Sequence, residues 1–219
     1  MAITTAMPTQ FKVDLLKAFH CFLATQSGVS CAGSNGAFTL TSIASTANLA
    51  VGMAVTGTNV AAGAVIASID SGTQVTLSKA HTGAVSSVTF TADPFKIALI
   101  KASPTGTYGA ASVNYSDITG NSDEASGTGY SAGGLALTNV NPSNPSGAVA
   151  IATFGANPSW AGASISVAGC MIYNTARRGD SANRAVGVFD FGGTQTVTGG
   201  TLTLVLPTAD AANALLRIT

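Results

Sequence analysis

Few residues of this chain could do chemistry. Asp123 and Glu124 are adjacent carboxylates, His20 stands beside Cys21, an Arg177-Arg178-Gly179-Asp180 run is followed by Arg184, and Trp160 is the sole tryptophan. A carboxylate pair working as general acid and base must converge on one substrate, at about 5 to 10 Å in glycosidases. Neighbours along a strand point to opposite faces, so Asp123 and Glu124 are expected in a solvated loop. The Gly127-Thr128-Gly129-Tyr130-Ser131-Ala132-Gly133-Gly134 segment that follows has neither a Walker lysine nor a GxGxxG opening a helix. Its glycines are read as permitting positive φ and close strand approach, and Tyr130 as a core anchor with its hydroxyl bonded.

A Cys-His couple can activate a thiolate. Adjacent helix residues do not face one another, so His20 is read as packed or at the surface, and Cys21, Cys31 and Cys170 as buried free thiols behaving as small hydrophobes. An odd cysteine count argues against a disulfide framework, leaving room for one bridge at most. Arg177, Arg178, Asp180 and Arg184 are expected at a charged hairpin tip. In a chain so short of charge, that tip is the first candidate for salt bridges that set register with a partner. Trp160 is expected in the core, the alternative being an exposed platform for stacking on a sugar ring. No catalytic, cofactor-binding or metal-ligating set can be assembled from these residues, so the chain is expected to be non-enzymatic.

The elements that must position these groups belong to an unusual composition. Nine basic and nine acidic residues cancel in a chain of 219, and 8% charged residues compares with about 25% in ordinary globular proteins. A surface so poor in charge protects a free monomer badly against self-association. Much of it is therefore expected to be covered, by copies of the chain or by a large partner. Nucleic acid is not expected, because the few basic residues are scattered and counterion release needs a concentrated basic face. Residues 47–69 are uncharged and apolar enough to mimic a membrane span. Thr56, Thr58, Asn59 and Ser68 among them point instead to short strands and turns, and no membrane association is expected.

Phe11, Leu15, Leu16, Phe19 and Phe22 or Leu23 recur at helical spacing, predicting one amphipathic helix over 10–24 with Thr9 as its N-cap. Beyond it, short Val, Ile, Thr and Phe runs alternate with Gly, Asn, Pro and Ser clusters, as in strands and turns. Residues 25–92 form a nearly chargeless block in which Asp70-Ser71-Gly72 turns a hairpin. Asp93-Pro94 opens a second strand series. The expected fold is mainly β: a β-sandwich or jelly-roll-like domain from residues 1–24 and 93–219, with an N-terminal helix and an inserted small β-domain over 25–92.

The helix FKVDLLKAFHCF, the strand DPFKIALIKAS, the segment from Asp123 to Gly134, the Trp160 strand, MIYNTARRGDSANRAVGVFDFGG and the ending LVLPTADAANALLRI together resemble a family of small bacteriophage virion proteins. In that family the helix is closely followed by the FKIAL-like strand, so residues 25–92 read as an insertion; the block itself resembles small β-modules of phage surface proteins. The resemblance implies a virion structural protein. The expected role is a capsid decoration or cement protein on the capsid exterior, bound to the major capsid protein and to copies of itself, a trimer being one arrangement that matches capsid symmetry axes. A tail-associated or fibre-like protein, with a host-glycan binding module, is the alternative.

Overall fold

A computed structural model describes residues 2–176 and 181–219. The described residues form two helices and thirteen strands, and the fold is mainly β. The chain folds as two compact units: unit 1 comprises Met1–His20, Pro94–Thr138 and Pro142–Thr219, and unit 2 comprises Cys21–Asp93 with Asn139–Asn141. None of the described helices is long and apolar enough to cross a membrane.

Helix α1 (Thr9–Leu16) opens unit 1 and is shorter than the sequence predicts. Pro8 rather than Thr9 holds the N-cap position, and no side chain caps the helix. The helix closes with a Schellman arrangement, Phe19 N–H to the Asp14 carbonyl and Ala18 N–H to the Leu15 carbonyl, with Ala18 in the left-handed position at φ 55° usually held by glycine. The helix buries Phe11 and Asp14, while Leu16, expected on the apolar face, is 91% exposed.

In unit 2, strands β1 (Gln26–Gly33), β2 (Thr39–Leu40), β3 (Ala54–Thr56), β4 (Ala64–Ser71), β5 (Gln74–Leu77) and β6 (Val85–Thr91) follow in the chain. They lie in the order β1-β6-β3-β4-β5-β2. Reciprocal hydrogen bonds between Ala32 and Thr41 link the two ends of that order, so the sheet is nearly closed as a small barrel, the arrangement that leaves least open edge. Leu40, Met53, Ile66, Val75, Leu77 and Phe90 fill its interior. The β4–β5 hairpin turns where Asp70-Ser71-Gly72 predicts it, with Ser71 paired to Gln74. Where the chain enters and leaves, Asp93 Oδ2 accepts the Cys21 N–H and the Asn139 amide donates to the carbonyls of Leu23 and Asp93.

Unit 1 continues with β7 (Phe95–Lys101), the short helix α2 (Ser116–Gly120), β8 (Leu135–Leu137), β9 (Ser143–Ser146), β10 (Val149–Ala152), β11 (Ser159–Asn174), β12 (Arg184–Thr203) and β13 (Leu216–Ile218). A four-stranded antiparallel sheet runs β12-β11-β7-β8, and a three-stranded one runs β13-β10-β9. Register sets Ile172 beside Ile97, and Cys170 beside both Leu99 and Phe189, making one apolar face by alternation. On this side Phe154, just after β10, packs on Phe95 with centroids 5.5 Å apart. On the opposite face Ile100, Met171 and Val188 join Ile3, Tyr108 and Ile118 in a second buried cluster. The apolar runs over 184–191 and 201–206 read as two separate strands in the sequence; a single β12 spans both, with residues 191–194 bulging between the Gly169–Asp190 and Val167–Gln195 pairs.

Candidate functional site

Asp123 and Glu124 do not lie in a solvated loop. Glu124 bridges to Ile100 on β7, and Asp123 is fully buried. Successive side chains there diverge, so each carboxylate acquires its own set of donors. Asp123 accepts the Thr105 N–H at 2.9 Å, the Gly106 N–H at 2.7 Å, the Thr105 hydroxyl at 3.0 Å and the Tyr108 hydroxyl. Lys101 Nζ stands 2.9 Å from Oδ1. Burial by itself raises the Asp123 pKa; hydrogen bonds from Tyr108, Gly106, Thr105 and Lys101 outweigh it and hold the carboxyl well below the usual carboxylate range.

Glu124 accepts the Tyr115 hydroxyl on Oε2, and the Tyr130 hydroxyl at 2.7 Å and the Gly133 N–H at 2.6 Å on Oε1. The Tyr173 ring stacks on Tyr115 with centroids 4.4 Å apart, and its hydroxyl donates to the Gly133 carbonyl. All four tyrosines of the chain thus converge on this carboxylate pair and the glycine loop behind it. Burial, followed by hydrogen bonding to Asp123, pushes Tyr108 up to about 12. Burial and the Glu124 charge push Tyr173 up to about 12 as well, and Tyr115 and Tyr130 rise too, through burial and then their bonds to Glu124. Tyr130, expected as a hydrogen-bonded anchor, also accepts the Leu99 N–H at 3.1 Å. Gly134 has φ 65°, and a Cβ there would stand 1.8 Å from the Ile97 carbonyl oxygen. The glycine loop therefore exists to let β8 approach β7 under these rings.

Arg184, expected at a charged tip, is 6% exposed. Its guanidinium pairs with Asp14 at 3.0 Å and lies 4.8 Å over the Phe19 ring. It is thus an internal residue of unit 1, because Asp14 on α1 is buried and requires a counter-charge. Arg177, Arg178 and Asp180 lie outside the described residues. His20 is enclosed by Phe11 and Phe95, with Nδ1 2.9 Å from the Asn174 amide. Cys21 packs in the core of unit 2. All three cysteines are buried and lie outside any disulfide, and burial pushes Cys170 up to about 12. Trp160 is buried and tilts against Tyr130; its ring is not offered to a sugar.

Among the described residues no group of three or more His, Cys, Asp or Glu side chains could hold a metal ion. An apolar cleft of about 260 Å³ opens on the Ile97, Cys170 and Ile172 face of unit 1, beneath Leu204, Leu206 and Pro207.

The surface that sequence reasoning missed is the outer half of the β11–β12 hairpin. Strand β12 is the edge of its sheet, and residues 192–196 are exposed in succession. No charged residue occurs between Glu124 and Arg177, nor between Asp190 and Asp210, so both strands of this outer half present hydroxyl, amide and aliphatic groups alone. Its signal in the sequence is that charge-free interval rich in threonine, but the paired glycines hide the continuity of the strand.

No family model, curated protein or solved structure matches the chain. The site is accordingly defined by its own geometry.

Proposed function

We propose that this chain is a non-enzymatic bacteriophage virion protein, a decoration or cement protein on the capsid exterior that binds the lattice of the major capsid protein and neighbouring copies of itself. One observation carries the reading: the outer half of the β11–β12 hairpin is free of charge over its whole length, and its β12 strand is exposed from Gly192 to Thr196. Burying such a surface costs no ion desolvation and removes apolar area from water at about 25 cal/mol per Å². Repetition by symmetry multiplies a contact that is weak in one copy. The buried carboxylate and arginine clusters support the same reading, since they use the scarce charges of unit 1 to fix its own fold.

Binding to purified heads tests it. Added to heads lacking the protein, the chain is expected to bind saturably and to raise the temperature at which they release genome. Binding to isolated tails and not to heads would contradict the decoration role and favour a tail-associated one.

A further inference from the structure

We infer that the outer edge of β12, centred on Thr196, is a strand-pairing edge that takes the same edge of a second copy in antiparallel register. The inference deepens the self-association part of the proposed function and rests on that part alone.

The open edge has a sharp beginning. As far as Asp190 the chain covers it with its own backbone and side chains. Ala6 and Val188 exchange two N–H to carbonyl bonds, the Ala185 N–H reaches the Val113 carbonyl, and the Asp190 N–H reaches the Thr5 hydroxyl. Past Asp190, no backbone group of another segment pairs with this side of β12 among the described residues. A row of outward N–H and C=O groups is a template for another strand. Natural edges are blunted by charge, proline or bulges. Here the charge-free interval extends to Asp210 and the first proline is Pro207. Bulging confines the regular stretch, since Gly192, Gly193 and Gly199 all have positive φ. Between them Gln195, Thr196 and Val197 pair in unbroken register with Val167, Ser166 and Ile165.

A second copy is the occupant that this stretch fits. In an isologous antiparallel pair a strand meets its own sequence reversed, so any charge would face its like or lie close to it. Thr194-Gln195-Thr196-Val197-Thr198 contains none. Centring the axis on Thr196 sets Thr194 opposite Thr198, Thr196 opposite itself and Gln195 opposite Val197. Threonine pairs and β-branched residues are favourable across strands. A one-residue slip would set threonines against Gln195 and Val197. Five residues span about 17 Å at about 3.4 Å each, a short ladder that gives weak association in a pair and firm association only when repeated.

Disulfide trapping of the full-length chain tests this without any particle. Single cysteines at positions 194 to 198 are oxidised mildly, with exposed Ser71→Cys in unit 2 as the collision control; the native thiols are buried. Thr196→Cys is expected to give the highest yield of a species at twice the 21.6 kDa chain mass, falling to either side. Thr196→Lys, on an exposed side chain, is expected to abolish concentration-dependent sedimentation. Crosslinking no greater than the Ser71→Cys control at all five positions, or sedimentation unmoved by Thr196→Lys, overturns the assignment. Since heads are absent, that failure would be distinct from a failure to bind the capsid.

Discussion

Each tyrosine hydroxyl of this chain is committed to a carboxylate or to the loop beside it, and the consequence is a pH window at both ends. All four tyrosines have folded-state pKa values raised above the unfolded value of about 10. Stability from them is complete below about pH 10 and is lost as pH rises toward 12. A spectrophotometric titration at 295 nm is therefore expected to show little tyrosinate in the native chain at pH 10, followed by a steep rise coincident with loss of β-sheet circular dichroism. Four independent ionisations near pH 10 would contradict the cluster. Asp123 works in the opposite sense: its folded pKa is depressed, so its stabilisation is present above the unfolded value of about 3.9 and disappears as pH falls below it. Asp123→Asn removes the partner of Lys101 and leaves the donors on one oxygen facing an NH₂ group. It is expected to lower stability near neutral pH by about 3 kcal/mol and to flatten the acid limb of the stability profile, both read by urea denaturation at several pH values.

At the scale of elements, the strands most legible in the sequence are those with an apolar, alternating pattern. Strands β4 to β7 fall where Val, Ile and Phe runs predict them, and the Asp70-Ser71-Gly72 turn lies between β4 and β5. Strands β1 and β9 are not legible. QSGVSCAG sends only Val29 and Cys31 toward the core and SNPS is exposed throughout, so backbone pairing does most to define them. Helix α1 ends at Leu16 in a Schellman arrangement around left-handed Ala18, which side-chain periodicity cannot reveal. The carboxylate pair is legible as diverging neighbours but not as buried ones, since its donors come from Lys101, Thr105, Gly106, Tyr108, Tyr115 and Tyr130 through tertiary folding. Two glycines separate the energetics of the units. Gly134→Ala drives a Cβ into the Ile97 carbonyl in unit 1, and Gly33→Ala drives one to 2.8 Å from His81 Nε2 in unit 2. The first is expected to cost about 3 kcal/mol or more, the second about 1 to 3 kcal/mol. Amide hydrogen exchange should show accelerated exchange in β7 and β8 for the first and in β1 and β2 for the second, with reversal of that pattern contradicting the assignment of elements to units.

For the whole molecule, scarcity of charge has a structural distribution. In unit 1, Asp14, Asp123 and Arg184 are buried and paired, and Lys101 is drawn onto Asp123. The outer hairpin is left neutral, with one open strand edge. A free monomer with such an edge is exposed to unspecific pairing, whereas a protein held in a regular array has that edge occupied. The central claim is therefore about number as much as about contact. The most direct measurement is the copy number of this chain per particle, by quantitative mass spectrometry of purified virions against the major capsid protein. The account predicts hundreds of copies, in a simple ratio to the capsid lattice. A dozen copies or fewer would contradict it and favour the tail-associated alternative.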